Sequence, residues 1–237
     1  MRLTWLGHSA FRIEIGSSKI LIDPFLKGNP LFKQSFASVT KDITHILLTH
    51  GHDDHIGDAA EIGAKKSRNK SKPQIVSNYE ICAYLAEKGA DNMNPGNTGG
   101  TVDCGDFTVS FTDAKHSSGT VEKGKSIYLG NPNGLVIKAK GEKTLYHMGD
   151  TDIFSDLALI AELHKPQIVL IPIGDRFTMG ADHAALALKR YLKPSYAIPI
   201  HYGTFPMLAP DARAFQKAMK GARTKIIVPD RGVPLDF

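Results

Sequence analysis

The 237-residue chain is 42% hydrophobic and 22% charged, which supplies a continuous core and excludes an intrinsically disordered chain. Its formal net charge of +5 is spread along the sequence apart from one basic run, Lys65-Lys66-Ser67-Arg68-Asn69-Lys70-Ser71-Lys72 before Pro73, which reads as a solvated surface loop rather than a nucleic-acid site. No apolar stretch is long enough to span a membrane, the N-terminus lacks a secretory h-region, and two cysteines, Cys82 and Cys104, are too few for a disulfide framework, so a soluble, cytoplasmic protein with reduced, buried thiols is expected.

Alternating apolar residues predict strands at Leu3 to Gly7, Phe11 to Ile15 and Lys19 to Ile22, the last two joined by a hairpin turn through Gly16. Two prolines and a glycine between Asp23 and Pro30 then predict a loop, running on to Ser38, of a kind that can cover a site. A β-branched apolar run at Thr44 to Thr49 predicts a strand, followed by a helix capped by Asp53 or Asp54 and reaching Ala64. His50 to Asp54 therefore occupy a strand-to-helix corner. Gln74 to Ser77 reads as a strand, Glu80 to Lys88 as a helix, and Asn94 to Gly100 as a turn. A second group of strands is predicted at Thr101 to Cys104, Phe107 to Asp113, Ser126 to Leu129, Leu135 to Ala139 and Lys143 to His147. The remainder alternates: helix Asp152 to His164, strand Ile168 to Ile171, helix Ala181 to Tyr191, strand Ala197 to Ile200, helix Asp211 to Lys220, strand Lys225 to Val228. This order predicts an α/β chain with two β-sheets packed face to face and helices outside them, as a single domain over residues 1–237.

The strongest chemical signal is Thr49-His50-Gly51-His52-Asp53-Asp54-His55, which crowds imidazoles and carboxylates into one corner at the end of a buried strand. Burying them there is costly unless something satisfies their lone pairs, and a divalent metal does so. His50 and His52, two apart in an extended segment, project to one side, whereas Asp54 and His55 at the helix entry point elsewhere, which suggests two metals rather than one. More ligands are then needed from later strands. His116, Asp150 and His201 each stand at a predicted strand-to-loop transition, and a carboxylate such as Asp150 can bridge two cations.

With these residues the chain resembles the metallo-β-lactamase superfamily, whose members carry a His-x-His-x-Asp-His corner followed by His, Asp and His. It is most similar to a branch of small metal-dependent hydrolases related to bacterial ascorbate-6-phosphate lactonase and, more distantly, to N-acyl-phosphatidylethanolamine phospholipase D. The resemblance covers nearly the whole chain and includes Trp5-Leu6-Gly7-His8-Ser9-Ala10-Phe11, Ile22-Asp23-Pro24 and the segment Pro172 to Gly180. It implies a four-layer αββα sandwich. It also implies that His50, His52 and His116 hold one metal, that Asp54, His55 and His201 hold the other, and that Asp150 bridges them. No cysteine stands at a ligand position, which separates the chain from the antibiotic-destroying zinc enzymes that use one. Self-association into a homo-oligomer is compatible with the family.

Among the remaining histidines, His45 and His164 read as structural or exposed, and His147 as either a packed residue or one that orients Asp150. His8 and His183 are candidates for a proton donor or substrate contact, with Asp182 as a candidate N-cap beside His183. Two cations, zinc first and manganese or iron as alternatives, would make hydroxide from water near neutral pH, with Asp54 or Asp150 orienting the water. The expected substrate is a small ester, lactone or phosphoester, with Lys27, Lys33 and Arg176 as reasons for an anionic one. A nuclease acting on nucleic acid, disfavoured by the chain's size, and a catalytically silent metal-binding sensor stand as alternatives.

Overall fold

The alternation at the start of the chain does what it dictates: β1 (Arg2–Gly7), β2 (Ala10–Ile15) and β3 (Ser18–Ile22) pair antiparallel in a computed structural model, which describes residues 1–66 and 71–237. The centre of the basic run, 67–70, lies outside the described residues; on its flanks Lys65 pairs with Glu61 and Lys72 with Asp91, each at 2.8 Å. The loop after β3 contains a short helix, α1 (Phe36–Val39), absent from the sequence expectation. β4 (His45–Leu47) then joins β3 in parallel.

The helix expected from Asp53 to Ala64 is two helices, α2 (Asp53–Ile56) and α3 (Ala59–Gly63). His52, rather than Asp53 or Asp54, sits at the N-cap of α2, and both aspartates lie in its first turn. The break is at Gly57, whose φ is +38°. A Cβ there would stand 2.6 Å from Phe25 Cα and from the Pro24 carbonyl oxygen. The loop after β3 thus presses on the helix backbone and only glycine fits. β5 (Gln74–Val76) and α4 (Tyr79–Ala86) follow, Asn78 capping α4 by accepting from the Ile81 amide at 2.9 Å.

The second sheet holds β6 (Thr101–Asp103) and β7 (Thr108–Asp113), and the chain then makes a detached two-stranded hairpin, β8 (Gly119–Glu122) with β9 (Lys125–Tyr128). Only β9 was expected from the sequence. β10 (Asn133–Lys138) and β11 (Leu145–His147) return to the sheet, and α5 (Leu157–His164) starts later than the expected Asp152. β12 (Ile168–Pro172) leads to α6 (Ala181–Leu186), which continues as a π-helical segment, Ala187–Leu192. Gly180, not Asp182, occupies the N-cap position of α6. β13 (Tyr196–Ile200), α7 (Arg213–Ala218) and β14 (Lys225–Ile226) complete the alternation. A further strand, β15 (Pro234–Asp236), unforeseen in the sequence, pairs antiparallel with β1.

The result is a six-stranded sheet ordered β15-β1-β2-β3-β4-β5 and a seven-stranded sheet ordered β14-β13-β12-β11-β10-β7-β6, flanked by helices in the αββα arrangement. Alternation explains how each strand serves two layers. In β3, Ile20 and Ile22 enter the larger core with Phe111, Leu135 and Ile137 of the second sheet, while Leu21 faces the smaller core with Ile62 and Leu85 of α3 and α4. β12 is buried along its whole length, as a parallel strand covered on both faces must be. No helix among the described residues is long and apolar enough to cross a membrane.

Candidate metal centre

Ends of strands from both sheets converge at one edge of the sandwich. β1 delivers His8, β3 delivers Asp23, and β4 with α2 delivers His50, His52, Asp54 and His55. From the second sheet, β7 is followed by His116, β11 by Asp150 and β13 by His201. His8, Asp23 and His201, each directly after its strand, adopt left-handed φ of 54°, 43° and 59°. Such backbone costs about 1–3 kcal/mol per residue and persists where the surroundings over-determine it. Here the His201 amide donates to the His8 carbonyl at 3.2 Å, which also accepts from Trp5 Nε1 at 3.0 Å.

The side chains fall into overlapping groups whose ligand-type atoms lie within 4.8 Å of one another: His50, His52 and His116; Asp54, His55 and His201 together with His8; and His50, His55 and Asp150. The residues assigned to each metal by resemblance are thus brought together. Asp150 stands between the groups, its Oδ2 2.9 Å from His201 Nε2 and 3.6 Å from His116 Nε2, its Oδ1 3.4 Å from His55 Nε2. His55 Nε2 and Asp150 Oδ1 are buried without a hydrogen-bond partner. A ring nitrogen and a carboxylate oxygen left facing each other without a hydrogen bond in a dry site fit a cation that both could bind.

Contacts behind the cluster fix which nitrogen faces it. Asp23, buried, accepts from the Thr49 amide at 2.9 Å, from Thr49 Oγ1 at 2.7 Å and from His55 Nδ1 at 2.8 Å. His55 Nδ1 therefore keeps its proton, and Nε2 is the nitrogen left to present a lone pair to a cation. Because the Thr49 hydroxyl donates to Asp23, it accepts from His50 Nδ1 at 3.0 Å, which frees His50 Nε2 in the same way. His52 turns Nδ1 toward His50 and Nε2 toward Ser117 Oγ at 3.2 Å. These roles of Asp23, Thr49 and Ser117 were not read from the sequence, although Asp23 stands in the Ile22-Asp23-Pro24 motif and Thr49 heads the histidine corner.

His8 is fully buried, with Nε2 3.1 Å from Asp54 Oδ2 and Nδ1 2.8 Å from Thr204 Oγ1. Burial, reinforced by His201, pushes its pKa down to about 4 against the pull of Asp54. A neutral His8 then donates from Nε2 to ionised Asp54 and accepts from Thr204. His147 donates Nε2–H to the Ser9 carbonyl at 3.0 Å and accepts the Gly149 amide at 3.1 Å, which shapes the turn before Asp150. His183 is not brought to the cluster. Its exposed ring lies 3.5 Å from Asp152 and lines a separate cavity with Asp175 and Asp182. His45, half-buried in β4, meets Thr44 Oγ1 and the Phe107 ring.

Charge is balanced within the cluster. Burial pushes the pKa values of His50, His52 and His116 down. Burial opposes a proton on His55 and His201 too, but the adjacent carboxylates outweigh it, raising His55 well above its usual value and His201 to about 9. Burial likewise opposes ionisation of Asp54 and Asp150, and the neighbouring imidazoles reverse it, holding both well below the usual carboxylate range. The carboxylates are thus anionic and ready for cations, which displace the imidazole protons when they bind.

Comparison with known proteins agrees with this arrangement. A family model for the beta-lactamase superfamily domain matches residues 2–201. The chain is 59% identical to a metal-dependent hydrolase of Methylocella silvestris over 232 residues, covering 98% of each chain. It is 35% identical to a solved metallo hydrolase of the hyperthermophilic archaeon Ignicoccus hospitalis, with a TM-score of 0.85, covering 100% of this chain and 98% of that one. An isothiocyanate hydrolase from Delia radicum gut bacteria shares the fold at 21% identity and a TM-score of 0.77, covering 100% of this chain and 99% of that one. With its αββα layers and its cluster of imidazoles and carboxylates at the strand ends, the chain belongs to the metallo-β-lactamase superfamily, among its metal-dependent hydrolases.

Proposed function

We propose that this protein is a binuclear hydrolase of small esters, lactones or phosphoesters, in which His50, His52 and His116 hold one divalent cation, Asp54, His55 and His201 the other, and Asp150 bridges the two. The observation that carries this reading is Asp150, buried between the two histidine groups, with one oxygen toward His55 and the other toward His201 and His116. The ligand set suits zinc, and manganese or iron as alternatives. Cations held by these residues would supply acidified water, with a pKa of about 7, and polarisation of a carbonyl or phosphoryl oxygen.

The chain's own residues prepare the site for that chemistry. His8 holds Asp54 in place, Asp23 and Thr49 set the tautomers of His55 and His50, and Ser117 faces the outer nitrogen of His52. Phe25 and Phe205 pack edge-on against the His8 ring at centroid distances of 5.9 and 5.6 Å and keep solvent from the buried side of the cluster.

The test is metal content by elemental analysis of protein purified without chelator, for wild type and Asp150→Ala, with hydrolysis of an ester, lactone and phosphodiester panel. About two cations per chain in wild type, reduced together with activity in Asp150→Ala, is the expected result. Absence of metal after growth with ample zinc, manganese and iron would overturn the reading.

A further inference from the structure

A cavity of about 550 Å³ opens beside the cluster, between His52 and Asp54 on one side and the β8–β9 hairpin on the other. The pairing of Gly119 with Tyr128 and Val121 with Ser126 puts these four residues on one face of the hairpin. Thr120, buried, and Ile127, half-buried, are on the opposite face and border the same cavity. Val121 and Tyr128 are 64% and 67% exposed, and both line the cavity, so the hairpin presents an apolar surface toward the reactive corner. The Tyr128 hydroxyl donates to Asn131 Oδ1 at 2.8 Å, which holds the phenol ring in position.

The hairpin is a fixed wall. Thr120 Oγ1 donates to Asp53, and Glu122 accepts from Tyr84 at 2.6 Å and pairs with Lys88 of the α4 region. Ser118 Oγ accepts the Gly51 amide at 3.0 Å and donates to the Leu129 carbonyl at 2.9 Å, which ties the hairpin to the metal corner itself. Of the acidic residues that line the cavity, Asp54 belongs to the cluster, which leaves Asp53, and no lysine or arginine is among the lining residues. Lys125 is exposed, lies on the opposite face by the same register and is not among the residues that line the cavity.

We propose that the substrate of the hydrolase carries an uncharged apolar or aromatic group, seated on the Val121–Tyr128 face of the hairpin while its ester or phosphoester linkage meets the cluster. This rests on the hydrolase reading above and runs against the anionic substrate expected from Lys27, Lys33 and Arg176 in the sequence. An aromatic ring stacks on Tyr128 without a charge to desolvate, whereas a carboxylate on the ring in the same place meets Asp53 with no lysine or arginine lining the cavity beside it.

The experiment compares kcat/KM of the metal-loaded protein for p-nitrophenyl acetate, p-nitrophenyl phenylacetate and the phenylacetate ester bearing a ring para-carboxylate. In parallel, the uncleaved probes N-benzylacetamide and its para-carboxylate are titrated while the amide resonances of residues 119–128 are followed. The neutral phenylacetate is expected to exceed its carboxylate analogue by about tenfold, Tyr128→Ala to reduce the phenylacetate-to-acetate ratio by about tenfold, and Val121→Lys to narrow the neutral-to-anionic gap. Equal or better turnover of the carboxylate ester, or a phenylacetate-to-acetate ratio unmoved by Tyr128→Ala, would overturn the proposal. If no ester is cleaved, the hydrolase reading fails and the amide probes decide this one. Shifts in the hairpin at lower concentrations of the neutral probe support it; no shifts, or preference for the carboxylate probe, refute it.

Discussion

Asp23 shows how much of a metal site resides in a residue that touches no cation. Its two oxygens take the Thr49 amide, the Thr49 hydroxyl and His55 Nδ1, so one carboxylate orients both the β4 corner and the first histidine of the helix. Asp23→Asn keeps the size but offers one acceptor oxygen and an NH₂ that clashes with a donor. A loss of about 10–100-fold in metal affinity is expected, read by competition with a chromogenic chelator, with the far-ultraviolet circular dichroism of wild type. Affinity within about threefold of wild type would remove Asp23 from this role. The sequence showed Asp23 at a strand end but not its task, because its partners lie 26 and 32 positions away. His147 offers a pH test. Burial lowers its pKa below the ordinary 6.5, so the unfolded chain binds a proton on acidification that the native chain refuses. Bound protons in the unfolded state then exceed those in the native state, and stability falls as pH drops below about 6.5 at up to about 1.4 kcal/mol per pH unit. In urea unfolding of chelator-treated protein, His147→Gln should show a slope shallower by up to that amount between about pH 6.5 and 5. An unchanged slope would mean that other groups carry the acid sensitivity.

Between strands the site is held by close backbone approaches. Gly174, just beyond β12, lies so near the residue after β13 that a Cβ would sit 2.2 Å from the His201 carbonyl oxygen and 2.8 Å from His201 Nδ1. His201 cannot yield easily, since its left-handed backbone is tied to His8. Gly174→Ala is therefore expected to cost about 1–3 kcal/mol in thermal or urea unfolding and to weaken binding of the cation assigned to His201; wild-type values for both would show that the loop relaxes freely. Contacts of this kind set the limit of what the sequence disclosed. The strands whose apolar pattern is local, alternating in β1 to β3 and continuous in β10 to β13, and the histidine corner after β4 were legible, because pattern and spacing reside within a few residues. The break at Gly57 was not, since it is imposed by the backbone of Phe25 across the loop. β8 was missed because Gly119-Thr120-Val121-Glu122 has no apolar alternation and buries only Thr120. β15 exists by pairing with β1 at the other end of the chain, with Arg2 Nε donating to Asp236 at 2.9 Å.

Across the whole molecule the cluster is a seam between the two sheets. His8, Asp23, His50, His52, Asp54 and His55 come from the first sheet and its helix; His116, Asp150 and His201 come from the second. Below the seam the sheets are joined by the apolar contacts of the larger core, in which side chains of β1 to β3 meet those of β7, β10 and β12. At the seam itself they meet through charged and polar groups, among them His55 Nε2 with Asp150 Oδ1 at 3.4 Å and Asp54 Oδ2 with His201 Nε2 at 3.7 Å. A cation bound there would therefore clamp one sheet to the other, and it would favour the native state because the unfolded chain separates His116, Asp150 and His201 from the His50 to His55 corner. A ligand at about a thousandfold over its Kd adds about 4 kcal/mol to the native state. For a chain of this size each kcal/mol moves Tm by about 2–4 °C, so chelation should lower Tm by roughly 8–16 °C and stoichiometric zinc should restore it. Asp150→Ala, which removes the residue between the two groups, should start at a lower Tm and respond less to chelator. If elemental analysis shows the metal gone while Tm stays where it was, the apolar core alone holds the sheets together and the cations serve chemistry without clamping the fold.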